Sequence, residues 1–391
     1  MGDSYICQRN GTSTDEYVTI NFDESDIVHS VATSLSEARG RLAATSVGNY
    51  ALFGGGSNNT YLSTVDAYNS SLTRSTPTAL SEARNRLSAT SVGNYALFGG
   101  GEVNGVYSSV VDAYNTSLAR STPTALSEAR YYLSAASVGD YALFGGGYGN
   151  GYSSTVDAYN TSLTRSTPTA LSEVRQNLAA TSIGNYALFG GGYSGSTLTD
   201  VVDAYNTSLT RSTPTSLGQA RELLSATSVG DYALFGGGNF STEIVDAYNT
   251  SLTRSTPTAL SEARYILAAT SVGDYALFGG GWTGSTSVAI VDAYNTSLTR
   301  STPTALSQAR DVLAATTVGD YALFGGGYNG STYFAVVDAY TIVPNTKIQV
   351  YTETKYKFNS MQEEQTSTTW QSIDVSLPLQ GYIKVKSANI S

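Results

Sequence analysis

Apolar positions in this chain come in short runs, each bounded by glycine or by a Ser/Thr-rich stretch, a pattern that predicts strands joined by tight turns. Three runs recur: LAATSVG, closing at Gly48 in its first copy; YALFGGG, opening at Tyr50; and VDAY, opening at Val65. A fourth, SLTRSTPT, carries a proline that suits an outer edge strand, where a missing N–H is tolerated. The turn between the first two runs falls on Gly48 and Asn49 or equivalents, and three glycines end the second run.

YALFGGG begins at Tyr50, Tyr95, Tyr141, Tyr186, Tyr232, Tyr275 and Tyr321, in steps of 45, 46, 45, 46, 43 and 46 residues. A period of this size marks a repeat architecture. Four short antiparallel strands repeated radially make a propeller blade, so the expected fold class is all-β, a seven-bladed β-propeller. The small side chains of LAATS suit the innermost strand. Seven copies of the first three runs are present but only six TRSTPT strands follow them. The missing one stands at the other end of the chain: Asp26–Arg39 aligns without gaps on Ser71–Arg84, with His29 in place of Arg74 and Ala32 in place of Pro77. The N-terminal segment is thus expected to close the ring.

The expected organisation is an N-terminal arm (1–25), the propeller (26–340) and a C-terminal β tail (341–391). Composition supports the second boundary: all five lysines (Lys347, Lys355, Lys357, Lys384 and Lys386) lie in the tail. Val18, Ile20 and Phe22 alternate in EYVTINF, and KIQVYTETKYKF, TTWQSIDVSL and GYIKVK also read as strands. Ring closure brings the termini to one blade, where they are expected to form a small β module for attachment to other assembly subunits.

The formal net charge of -10, with no basic run, argues against nucleic acid as a partner. A single cysteine, Cys7, allows no internal disulfide, and no stretch is apolar enough to insert in a membrane. The first twenty residues lack the basic start and apolar middle of a signal peptide, which implies synthesis in the cytoplasm. Six AYN-[ST]-S strings, starting at Asn69, match the glycosylation pattern but read as turns.

These units resemble the kelch repeat, whose pattern is a hydrophobic strand ending in a glycine pair, a strand with an acidic residue and tyrosine, and an arginine before the next unit. Here those are Gly54–Gly55, Asp66 with Tyr68, and Arg84, and the likeness covers roughly 26–340. The tryptophan usual on the fourth kelch strand is absent, with Leu72 or Thr73 nearby. Such near-identical tandem units are similar to bacterial and bacteriophage kelch-like proteins, and the tail resembles the β modules of phage tails and appendages. The resemblance implies a location on a virion or an extracellular surface.

The copies differ in two places. One is the pair after each linker arginine: Gly40–Arg41, Asn85–Arg86, Tyr131–Tyr132, Gln176–Asn177, Glu222–Leu223, Tyr265–Ile266 and Asp311–Val312. The other lies between GGG and VDAY, where four of seven first residues are aromatic: Tyr148, Tyr193, Trp282 and Tyr328. In an antiparallel blade both connections emerge at the same end, so all fourteen segments are expected around one mouth of the channel. Loops drift more freely than strands, yet the turns at the other end, VGNY and YNTSLT, are nearly constant. Tyrosine, tryptophan and asparagine are also the types adaptable binding surfaces use. The expected ligand residues are Arg41, Arg86, Tyr131, Tyr132, Tyr148, Asn177, Tyr193, Glu222, Tyr265, Trp282, Asp311 and Tyr328, gripping a glycan or a protein receptor.

Catalytic chemistry is poorly supplied. His29 is the only histidine, so no Ser-His-Asp arrangement, zinc or copper cluster, or kelch-type copper oxidase centre is expected, and no cofactor is implied. The aspartates of VDAY and the linker arginines recur in every unit, which suits a structural role. Glu102, Asp200, Glu222, Glu243 and Asp311 break the symmetry. Glu222 and Asp311 supply the alternative, a sugar-acting epimerase or lyase. A passive spacer is the third reading.

Overall fold

The computed structural model describes residues 4–6, 14–239, 242–356 and 365–375, and no helix occurs among them. The repeats form a seven-bladed β-propeller. In blade one, Ala43–Val47, Tyr50–Gly54, Val65–Asn69 and Arg74–Ser75 pair antiparallel in chain order. The innermost strand alternates buried and half-buried residues. The two middle strands are almost wholly buried, because each sheet is covered on both faces by its neighbours; YALFG accordingly reads as a near-continuous apolar run, while VDAYN carries the buried Asp66.

The outermost strand is shorter than SLTRSTPT predicts. Pairing covers only Arg74–Ser75 and its equivalents. The chain reaches it through a turn in which Asn69 Oδ1 accepts the N–H of Ser71 (3.0 Å) and Thr73 (2.9 Å), while Leu72 is left-handed at φ 56°. Pro77 follows two residues beyond, without an N–H to extend the ladder. The six AYN asparagines are all used by this turn.

Blade seven is closed as its alignment requires. Ala314–Val318, Tyr321–Gly325 and Val337–Tyr356 take the first three places, and Thr14–Ala32 lies on the outer side of Val337–Tyr356. His29 Nε2 meets Asp338 Oδ1 at 2.7 Å, where blade one places Arg74 Nη1 against Asp66 Oδ1 at 2.8 Å.

Neighbouring blades are joined in two ways. The last residue of each second strand must be glycine because the next blade's phenylalanine fills its side-chain space: a Cβ on Gly54 would lie 2.8 Å from Phe98 Cε1, and one on Gly325 would lie 2.7 Å from Phe53 Cε1. That last contact is the seam between blades seven and one. The linker is the second join. Leu80 and Arg84 donate their N–H groups to Ser63 and Leu62 beside blade one, while the Arg84 guanidinium reaches Asp112 in blade two at 2.8 Å.

Each linker arginine is fully buried, and its ion pair is supported by further hydrogen bonds. Arg39 Nη2 donates to Asp66 Oδ2 (2.8 Å) and to the Phe53 carbonyl (3.2 Å), and Asp66 Oδ1 accepts Arg74 and the N–H of Ser36. The recurrent VDAY aspartate is thus a structural anchor. Its neighbour Tyr68 packs edge-on against Phe53 at 5.9 Å and donates its hydroxyl to the Thr33 carbonyl. Burial, then the adjacent Asp66, pushes that phenol far above its ordinary range, and the same holds for Tyr114, Tyr159, Tyr205, Tyr248, Tyr294 and Tyr340. An ultraviolet titration of the phenols is expected to leave these seven of the 29 tyrosines unionised at pH 11 until the protein unfolds. Full ionisation in the folded protein would contradict the buried placement.

The chain divides into two compact units, His29–Thr341 and a second built from Met1–Val28 with Ile342–Ser391. In the second unit Thr346–Tyr356 pairs antiparallel with Gln365–Val375, and Ser4–Ile6 pairs with Tyr17–Thr19. EYVTINF, the start of KIQVYTETKYKF and most of TTWQSIDVSL fall on these strands; GYIKVK lies outside the described residues. No helix among the described residues is long and apolar enough to cross a membrane.

Candidate functional site

The two divergent segments of each blade meet. The first residue of the pair after the linker arginine forms an antiparallel bridge with the residue after GGG: Gly40 with Ser57, Asn85 with Glu102, Tyr131 with Tyr148, Gln176 with Tyr193, Tyr265 with Trp282, and Asp311 with Tyr328. In blade five, Asn239 N–H donates to the Glu222 carbonyl at 3.0 Å.

The second residue of each pair does something the sequence does not announce. Arg41 N–H donates to the Val312 carbonyl at 2.9 Å, Arg86 to Arg41 at 3.0 Å, Tyr132 to Arg86 at 3.3 Å and Asn177 to Tyr132 at 3.0 Å. Leu223 continues to Asn177 at 2.9 Å, Ile266 to Leu223 at 3.0 Å and Val312 to Ile266 at 3.3 Å, which closes the circle. Seven residues, one per blade, thus form a collar of main-chain hydrogen bonds. All seven are left-handed, with φ between 45° and 58°, a conformation unfavourable to β-branched Ile266 and Val312. They hold it because each N–H and each C=O is spoken for by a neighbour. At the ~4.8 Å spacing of hydrogen-bonded chains, seven members place the collar backbone about 5.5 Å from the axis.

Three collar side chains lean toward the following blade. Asn177 Nδ2 donates to Glu222 Oε2 at 2.7 Å, the Arg86 guanidinium lies 5.8 Å from the Tyr131 ring centre, and Val312 Cγ2 occupies the space where Gly40 would carry a Cβ. The face they help to build is uneven. On blades two to four it is aromatic. Tyr107 stacks on Tyr131 at 5.2 Å and 11°, and Tyr131 contacts Tyr132 (4.6 Å) and Tyr148 (5.9 Å). The series continues through Tyr148–Tyr152 (4.9 Å) and Tyr152–Tyr193 (5.7 Å). Arg86 lies 4.9 Å from the Tyr132 ring centre and pairs with Glu102 at 2.6 Å. Burial raises the Tyr131 and Tyr132 hydroxyls; Arg86 and Arg41 oppose this at Tyr132.

On blades five to seven the face mixes carboxylates with separate aromatic pairs. Glu222 accepts from Asn177 and from Asn239 Nδ2 (3.2 Å), and Asp311 accepts from Ser287 Oγ (2.7 Å). Glu222 and Asp311 form no hydrogen bond with each other and are each engaged locally. Tyr265 with Trp282, and Tyr328 tilted at 37° against Tyr333 at 4.6 Å, belong to this side and lie outside the tyrosine series. Among the described residues no group of three or more histidines, cysteines, aspartates or glutamates is placed to hold a metal.

No protein-family model matches the chain, and no curated protein matches it.

The sequence reading thus located the segments but not every member. Tyr107 and Tyr152 were missed, and both had a signal. Asn104–Gly105 between Glu102–Val103 and Val106–Tyr107 is a two-residue hairpin turn, which puts Tyr107 opposite Glu102. Tyr152 stands across a similar turn from Tyr148. Leu223, Ile266 and Val312, which complete the collar, carried no chemical signal.

Asp311 is only 7% exposed, and burial raises its carboxyl above the ordinary value, against the opposing effects of Ser287 and Arg41. A carboxyl whose folded value is raised destabilises the fold at neutral pH, and that penalty fades as the pH falls through the folded value toward the unfolded one. Asp311→Asn is therefore expected to match or exceed the parent at pH 7, by up to about 1 kcal/mol, with the advantage much reduced by pH 4. Urea midpoints at the two pH values check it. A large loss at pH 7 would mean the charge itself is needed.

Proposed function

We propose that the protein is a non-catalytic recognition module that binds a glycan or protein receptor on the variable end of its propeller. One observation carries this reading: variation is concentrated in two segments per blade, and those segments pair into one layer around the collar while the frame beneath is constant. The kelch resemblance of residues 26–340, and the likeness of the tail to phage appendage modules, support a location on a virion or bacterial surface. The unit built from the two ends of the chain is its attachment to other subunits.

The competing enzyme reading rests on Glu222 and Asp311. Against it, both Glu222 oxygens already accept asparagine amide hydrogens, and Asp311 accepts from Ser287. A glycan array probed with the parent and with Tyr132→Ala separates the readings. Binding that the substitution abolishes supports recognition. Turnover of any arrayed sugar overturns it in favour of an enzyme, and silence toward both glycans and intact host cells favours a spacer.

A further inference from the structure

Resting on the recognition reading, we propose that the ligand is a neutral oligosaccharide lying along the tyrosines of blades two to four, from Tyr132 and Tyr107 to Tyr193. Three features of this stretch select that chemistry.

The first is shape. Tyr132, Tyr131, Tyr148, Tyr152 and Tyr193 follow one another with ring centres 4.6–5.9 Å apart, each step comparable to the width of one pyranose ring. With Tyr107, stacked on Tyr131, the series crosses three blades, so it offers an extended track rather than a single pocket. All six tyrosines are half-buried, held by one another or by the bridges beneath, and their ordering is largely complete before a ligand arrives.

The second is hydrogen bonding. The hydroxyls of Tyr107, Tyr131, Tyr132, Tyr148 and Tyr152 form no hydrogen bond with any described residue, in contrast to the buried blade tyrosines, each of which donates to a carbonyl. Tyr193 alone of the six is satisfied, by the Gly195 carbonyl. Five phenol groups that can donate and accept, set beside aromatic faces, match a ligand with alternating C–H faces and hydroxyl edges.

The third is charge. Arg86 is neutralised by Glu102, while Arg41 stands near Tyr132 and Asp311 without an ion pair among the described residues. Glu222 remains, with both oxygens engaged by Asn177 and Asn239. Three carboxylates, Glu102, Glu222 and Asp311, stand beside two arginines, so an acidic sugar would meet an excess of negative charge, on a chain of net charge -10. A cationic sugar would find no carboxylate with an open oxygen pair.

The test is a binding titration of the full chain against neutral hexose and N-acetylhexosamine oligosaccharides, their sialylated or uronate counterparts, and chitosan oligomers as the cationic class. Neutral chains are expected to bind with an affinity unchanged between low and high salt. Tyr131→Ala and Tyr152→Ala should each weaken them by about tenfold or more. Trp282→Ala and Tyr328→Ala, on the other side of the collar, should change affinity less than about twofold. Tyr152→Phe keeps the ring and so controls for folding; it should lose part of the affinity through its hydroxyl with no change in thermal midpoint. Preference for acidic or cationic chains, or loss of binding at Trp282 with Tyr152 indifferent, overturns the inference and leaves a recognition face elsewhere on the layer. Should no oligosaccharide bind, the inference fails, and the broader reading then stands only if Tyr131→Ala abolishes attachment to intact host cells.

Discussion

Asp292→Ala is expected to lower the unfolding free energy by about 3–5 kcal/mol, a large part of what a domain normally has. Asp292 is fully buried between Arg264 (2.7 Å) and Arg300 (2.9 Å), and it also accepts the Ser261 N–H. Burial pushes the Arg264 guanidinium down from its ordinary value, and Asp292 is the main influence keeping it charged. Removing the carboxylate leaves a buried cation with only the Phe278 carbonyl for company. Arg264→Met combined with Asp292→Leu removes both charges and should recover most of the loss, because an apolar pair carries no desolvation penalty. Urea denaturation of the two variants measures the difference. If the single substitution costs less than about 1 kcal/mol, the pair is not the anchor described.

Phe53→Ala is the second. It empties the seam where the last blade meets the first and is expected to cost about 3–5 kcal/mol. Gly325→Ala alone pushes a methyl to within 2.7 Å of Phe53 Cε1 and should cost about 1–3 kcal/mol. Together the two changes are complementary, since the new methyl enters the space the ring has left, and the double variant should be more stable than the sum of the singles predicts. Gly325 is not left-handed, so the added side chain meets no backbone penalty. Strict additivity in urea midpoints would show that Phe53 and Gly325 are not in contact and that the ring closes some other way.

The blades were legible because a propeller repeats its physics. The spacing of YALFGGG supplied their number, and the shortage of one TRSTPT strand located the closure, which His29 and Asp338 then bear out at 2.7 Å. The outer strand was overread: its Ser and Thr residues look like a strand, but the Asn69 turn and Pro77 leave only two residues free to pair. The meeting of the variable segments followed from strand order alone. What the sequence hid was main-chain geometry. Nothing in Ile266 or Val312 hints at a left-handed backbone, and local preference argues against it; the conformation is imposed by bonds between residues more than forty positions apart. The tyrosine series is half-visible: four of its six members stand among the expected ligand residues, while Tyr107 and Tyr152 are delivered by short turns whose far side the variable segments do not single out.

The collar also explains why so much diversity can sit on so uniform a frame. A hoop knitted from peptide groups tolerates a wide range of side chains, so Arg, Tyr, Asn, Leu and even the β-branched Ile and Val all stand in it. The molecule behaves as a turret with interchangeable fittings: trading one blade's residue pair for another's redraws the outer surface while the hoop beneath keeps its stitches.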